Sequence, residues 1–278
     1  MIDTILVPLD GSELAEQALA TARALALRYD AGLVLAHVHE PSEPIVLDDM
    51  PAIDEQLQSL TRRHEQTYLE RAAQHVAPDG RPPVKVALLE GPVSRALSDC
   101  AEQYGADLIV ITTHGRTGFE RAWLGSVTDA LSRSSSTPLL VLRPGGAMAD
   151  GFGRIVVPLD GSAEGERVLP VVRELADSKS SILLLRVVPA NADAAERERA
   201  ASYLDTVAGR LRDGEIEIAT DVRDGAAAPV ILETAREQGA DLIALSAHGH
   251  GGFMELLVGS NADKVLRAAE VPVLLVRR

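Results

Sequence analysis

Residues Ile5–Ser12 read ILVPLDGS, and residues Ile155–Ser162 read IVVPLDGS, the same phrase 150 positions later. An apolar run, a proline and an Asp-Gly-Ser turn mark the start of a βα unit. Strands buried on both faces of a parallel sheet read as near-continuous aliphatic runs, and Asp or Ser placed before a helix satisfies its free N–H groups. The likeness continues outward from this phrase. GADLI at Gly105–Ile109 returns at Gly239–Ile243, an offset of 134. His114-Gly115 returns as His248-Gly249, Leu124-Gly125-Ser126 as Val258-Gly259-Ser260, and PLLVLR from Pro138 as PVLLVRR from Pro272. Self-similarity on this scale is the signature of a duplicated structural unit. The two offsets make the second copy 16 residues shorter, and the stretch Glu40–Glu55, answered by Pro189–Asp193, is the expected place of the difference.

Within each copy short apolar runs alternate with helical segments. The runs are TILVPL, GLVLAHV, VKVALL, DLIVIT and PLLVLR, then RIVVPL, SILLLRV, EIEIATDV, DLIALS and PVLLVR. That alternation predicts parallel βαβ units with right-handed crossovers. The fold class is therefore α/β: two tandem doubly wound, flavodoxin-like domains, each with five parallel strands. The glycine-rich join PGGAMADGFG has linker composition, which sets the domains at 1–146 and 151–278 with a linker at 147–150.

Composition narrows the function. A formal charge of -14 disfavours nucleic-acid binding, which rests on neutralising phosphates with Lys and Arg. Anionic ligands must then be held by local backbone donors. The single cysteine, Cys100, excludes an intrachain disulfide and a thiolate metal cluster, and reads as a small helical packing residue. The start MIDTILVPLDGS has no signal-peptide pattern, and no run approaches the length of a membrane span. A cytoplasmic protein without membrane partners is expected.

Ligands of open parallel sheets bind beyond the carboxyl ends of the strands, where strand order reverses. Two segments per copy fall there. The first is the strand end Pro8 with Asp10, repeated as Pro158 with Asp160. Each aspartate either serves the helix cap or accepts hydrogen bonds from a ligand hydroxyl or amine. The second follows strand four and runs from Thr112 through Gly115 and Arg116 to Gly125, Ser126 and Val127. Its repeat runs from Ser246 through Gly249 and His250 to Gly259, Ser260 and Asn261. Nine residues separate the two glycines in both copies. Glycine allows close backbone approach, and a helix N-terminus binds phosphate.

These motifs together resemble the universal stress protein family, over essentially the whole chain and twice. The resemblance implies an adenine-nucleotide α-hydrolase-like sheet of order 3-2-1-4-5 and the phosphate motif Gly-x2-Gly-x9-Gly-Ser/Thr. Gly115, Gly125 and Ser126, and Gly249, Gly259 and Ser260, match its later part. Thr112 and Ser246 stand where its first glycine belongs. By the same likeness Asp10 and Asp160 lie near the adenosine, and Val38 and Val187 line the adenine. The implied cofactor is ATP, with or without Mg. The implied partners are the adenine nucleotide and a signalling protein the sequence does not identify. Single-domain relatives pair through their last strands, so the copies are expected to form an intramolecular pseudo-dimer, with a homodimer as a further option.

Other residues read as bland. His114 and His248 have no nucleophile beside them in sequence and are expected to be structural or ligand-lining. Trp123 aligns with Leu257, which favours packing. His37 aligns with Arg186, which argues against a metal site shared by the copies. The expected function is ATP binding by a regulatory stress-response protein with little or no hydrolysis, since the Walker lysine motif is missing. Two alternatives stay open: a nucleotide-free dimerising scaffold, and an enzyme of the adenine-nucleotide α-hydrolase type, for which DGSELAE and DGSAEGE are poor matches.

Overall fold

The structure, a computed structural model, describes residues 1–40, 51–113, 124–143, 152–212, 216–247 and 260–277. The first half runs β1 (Thr4–Pro8), α1 (Glu13–Tyr29), β2 (Gly32–His39), α2 (Pro51–Val76), β3 (Val84–Glu90), α3 (Val93–Tyr104), β4 (Leu108–Thr112), α4 (Ser126–Ser134) and β5 (Leu139–Leu142). The second repeats it with β6 (Arg154–Pro158), a 3-10 turn (Gly165–Val168), α5 (Leu169–Leu175), β7 (Ser181–Val188), α6 (Ala194–Leu211), β8 (Glu217–Asp224), α7 (Ala227–Glu237), β9 (Leu242–Ser246), α8 (Ser260–Ala268) and β10 (Val273–Val276).

The ten strands form one sheet in the order β3-β2-β1-β4-β5-β10-β9-β6-β7-β8. Each half thus has the expected order 3-2-1-4-5 with all of its strands parallel. The halves meet edge to edge: β10 pairs antiparallel with β5, placing Val273 opposite Val141 and Leu274 opposite Leu140. This pairing covers two apolar edge strands that would otherwise present unpaired N–H and C=O groups.

Alternate residues of each strand serve opposite faces. Ile5, Val7, Leu33 and Leu35 pack toward α1 and α2, and Ile155, Val157, Ile182 and Leu184 join the same buried cluster from the second half. Leu6, Val34, Ile109 and Val141 belong to the opposite cluster, together with Val156, Ile243, Val273 and Leu275. Each face of the sheet is therefore one continuous core across both halves. Cys100 is 1% exposed within the second cluster, a packing position, and burial pushes its thiol up to about 11.

The 16-residue difference falls between the second and third strands of each half. β2 ends at His39 and β3 begins at Val84, whereas β7 ends at Val188 and β8 begins at Glu217. A second difference lies between the first two strands. α1 is a continuous helix of 17 residues, capped by Ser12, whose hydroxyl accepts from the Ala15 amide. Its counterpart breaks into the 3-10 turn and the seven-residue α5. Pro170 is the physical cause. It stands in register with Ala20 of α1, has no N–H to donate, and is tolerated only in a helix's first turn.

Candidate functional site

The Asp-Gly-Ser turns have the same geometry in both halves. Gly11 has φ +82° and Gly161 φ +81°, a left-handed conformation that favours glycine. Asp10 Oδ1 accepts from the Ser12 amide at 2.9 Å and from its hydroxyl at 2.6 Å. Asp160 Oδ1 accepts from the Ser162 amide at 3.0 Å and hydroxyl at 2.5 Å. Each serine hydroxyl in turn accepts a helix-start amide, Ala15 at 3.1 Å and Gly165 at 2.9 Å. Ser12 is the cap of α1 and Ser162 holds the matching amide in the second half, and each aspartate braces its serine through Oδ1.

A cavity of about 340 Å³ opens at the carboxyl ends of β1, β2 and β4, the switch point of the first half. Of the residues singled out from sequence, Pro8, Asp10, Val38, Thr112, Gly125, Ser126 and Val127 all line it. Val93, Leu97 and Ile111 complete an apolar wall, and Thr112 and Val38 are buried. Ser126 is the first residue of α4 and Gly125 occupies the cap position without a side-chain bond. The Gly125 amide donates to the Thr113 carbonyl at 2.6 Å and the Thr128 hydroxyl to the Thr112 carbonyl at 3.1 Å. These two bonds tie the helix start to the end of β4. Helix geometry leaves the Ser126, Val127 and Thr128 amides with no acceptor inside the helix, and they stand at its electropositive end.

Sequence reasoning missed the charged side of this cavity. Glu40 and Glu65 line it, and so does His37. The His37 Nδ1 lies 2.8 Å from the Leu9 carbonyl and donates to it; Nε2 stands 3.5 Å from Glu65 Oε1. Glu65 Oε2 is 2.8 Å from Nδ1 of His39, which is buried behind it. Glu65 comes from α2, 55 positions after Asp10, where no motif could flag it. One faint signal exists three residues on: Tyr68 has a counterpart in Tyr203, and the hydroxyls of both are buried. Burial, reinforced by Glu16 and Asp10, pushes the Tyr68 pKa well above its ordinary value; burial with Glu166 and Asp160 does the same to Tyr203.

In the second half Pro158, Asp160, Val187 and Ser246 occupy the corresponding strand ends, all partly buried, and Asn261 is exposed in the first turn of α8. Gly115, Arg116, Gly249, His250 and Gly259 lie outside the described residues, as do His114, His248, Trp123 and the side chain of Ser260. Among the described residues there is no cluster of His, Cys, Asp or Glu fit to hold a metal ion, and no helix long and apolar enough to cross a membrane.

Comparison with known proteins bears on the family and the fold. The model of the universal stress protein family matches twice, at residues 1–143 and 151–277. A universal stress protein of Mycolicibacterium smegmatis is 26% identical over 98% of this chain and 96% of its own length. One from Thermus aquaticus is 33% identical, its whole length matching 51% of this chain. The match to universal stress protein Rv2005c of Mycobacterium tuberculosis is 26% identical and spans 62% of that protein's length. Among solved structures, a universal stress protein from Archaeoglobus fulgidus superposes with a TM-score of 0.74 over 99% of this chain and 98% of its own, at 20% identity, a likeness of fold. With two family matches in one chain and a sheet that repeats the same order on either side of a central seam, the protein belongs to the universal stress protein family, in tandem form.

Proposed function

We propose that the first half binds an adenine nucleotide, ATP in the simplest case, and that the chain is a cytoplasmic stress-response regulator whose conformation or partner choice follows occupancy. One observation carries the reading: Asp10, Val38, Thr112 and the Gly125-Ser126-Val127 helix start, drawn from three distant parts of the sequence, line one cavity at the switch point. Its volume lies in the range of small-molecule sites. Val38 and the apolar wall suit a base, the Asp10 carboxylate suits a ribose hydroxyl or an amine, and the α4 amides suit phosphate. Magnesium, if it accompanies the nucleotide, would draw most of its ligands from phosphate oxygens and water. A ligand shifts a conformational equilibrium only by binding its states unequally, which calls for no hydrolysis.

The test is the paired substitution Gly125→Ala with Ser126→Ala in the full chain, titrated with a fluorescent ATP analogue. The expected result is an unchanged circular dichroism spectrum and affinity weakened about tenfold or more, the order of one or two lost phosphate contacts. Unchanged affinity in a folded variant would remove the phosphate assignment. Failure of the unsubstituted protein to bind at millimolar nucleotide would remove the ATP reading altogether.

A further inference from the structure

Beneath the repeated aspartates the halves differ at one position. In the first half His37 follows Ala36, the partner of Pro8 in the sheet register, and donates to the Leu9 carbonyl at 2.8 Å. In the second half Arg186 follows Leu185, the partner of Pro158, and donates through Nη1 to the Leu159 carbonyl at 3.2 Å. Its guanidinium lies against the Asp-Gly-Ser turn, 3.7 Å from where a Cβ on Gly161 would stand. The two side chains perform one structural task, donating to the same carbonyl at the same point of the fold. They differ in charge: arginine is a cation at every relevant pH, and histidine is one only when protonated.

That difference matters because of what surrounds His37. The described cavity wall holds the carboxylates Asp10, Glu40 and Glu65 and, among the described residues, no lysine or arginine. From α2, Glu65 faces Nε2 at 3.5 Å, and the Tyr68 ring meets the imidazole edge-on at 6.2 Å. From α1, Glu16 acts on the Tyr68 hydroxyl. On β2, His39 is bonded to Glu65; Glu90 of β3, opposite His39, is paired with Arg62. With Nδ1 committed to the Leu9 carbonyl, a second proton on the ring must sit on Nε2, between Glu65 and the cavity.

Resting on the nucleotide reading above, we propose that His37 sets the charge the first half offers to a phosphate-bearing ligand, at the position where the second half carries Arg186. His37 takes up a proton when the anion binds, whereas Arg186 supplies a fixed cation. The sign follows from linkage. An anion in the cavity favours imidazolium, so the bound state holds the His37 proton to higher pH than the empty state. Affinity is then greatest at low pH and is lost as pH rises through the value of the bound state. The second half contributes no such slope through this position.

The second half also supplies the test, because it shows which residue can replace the histidine. Full-length wild type, His37→Arg and His37→Gln are titrated with ATP by calorimetry across about pH 5.5 to 8, the span in which imidazole changes charge, in buffers of differing ionisation enthalpy. The terminal phosphate of ATP titrates in the same span, so each variant is read against wild type, in which that contribution is identical. The expected result is that wild type loses about tenfold more affinity across the span than His37→Arg, the equivalent of one pKa unit, and takes up more protons on binding. His37→Gln should be as flat as the arginine variant but weaker at low pH. Equal slopes and equal proton uptake in all three would overturn the inference while leaving nucleotide binding intact. Absence of ATP binding in all three at every pH would overturn the nucleotide reading, and this inference with it. If circular dichroism shows His37→Arg unfolded, the glutamine variant decides by the same slope.

Discussion

The two halves share a strand order, an aspartate turn and a helix opening on Ser-Val or Ser-Asn, yet they handle the element after the first strand differently. In the first half Ser12 opens an unbroken 17-residue helix, and Ala15 of that helix lines the cavity. In the second half Pro170 divides the helix, and glycine replaces alanine at position 165. A Cβ there would stand 2.5 Å from Asp160 Oδ1, so the first turn after Asp160 has drawn in against the carboxylate. Duplication has thus preserved the sheet while allowing the turn beside the aspartate to diverge. The sheet is constrained by burial on both faces, and the turn, at the sheet's end, is not.

The largest test of this comparison addresses the sheet the halves share. Leu274 and Leu140 face each other across the seam and are both fully buried. Replacing either with alanine should cost about 3 kcal/mol, the middle of the range for buried leucines, measured by urea denaturation. A single shifted transition is expected, since each core is continuous across the seam; two separate transitions would show that the halves unfold independently. A smaller effect probes the divergent turn. Gly165→Ala should destabilise by about 1–3 kcal/mol, the usual cost of overpacking, because Asp160 is held in place by Ser162. The reverse change, Ala15→Gly, should cost about 1 kcal/mol through helix propensity alone. Equal and small costs at both positions would mean that the two turns are interchangeable.

The smallest effect lies between the candidate phosphate helices. Arg267 of α8 reaches Asp129 of α4 at 2.7 Å while also bonding Asp263 in its own helix at 2.9 Å. Both partners are about one-third exposed, so a double-mutant cycle with Asp129→Asn and Arg267→Gln should give about 0.5 kcal/mol, diminishing with added salt. A coupling indistinguishable from zero at low salt would remove this link between the halves.

Much of the fold was legible because buried parallel strands leave long aliphatic runs. ILVPLDGS and its echo located β1 and β6, and the family resemblance, by which relatives pair through their last strands, anticipated the seam. Pro8, Asp10, Thr112 and the Gly125-Ser126 helix start, which line one cavity, could be singled out for the same reason, each sitting at a strand end or helix start; Val38, which lines it too, came only from the family resemblance. The acidic side could not. Glu65 reaches the cavity from the middle of a long helix through tertiary packing, and the one nearby mark in the sequence, Tyr68 with its counterpart Tyr203, says nothing of a carboxylate. The broken helix had a visible cause in Pro170, but its consequence, the close approach of Gly165 to Asp160, depends on three-dimensional packing.

The antiparallel seam has a consequence for how the chain can be read from outside. Strands within each half run parallel, and β5 and β10 run in opposite senses. The carboxyl ends of the first five strands and of the last five therefore emerge on opposite edges of the sheet. β1 and β6 lie five strand positions apart, about 24 Å at the usual interstrand spacing. The carboxyl ends of β1 and of β6 therefore point in opposite directions. One continuous sheet thus sets both the distance between the two sets of strand ends and their opposite headings.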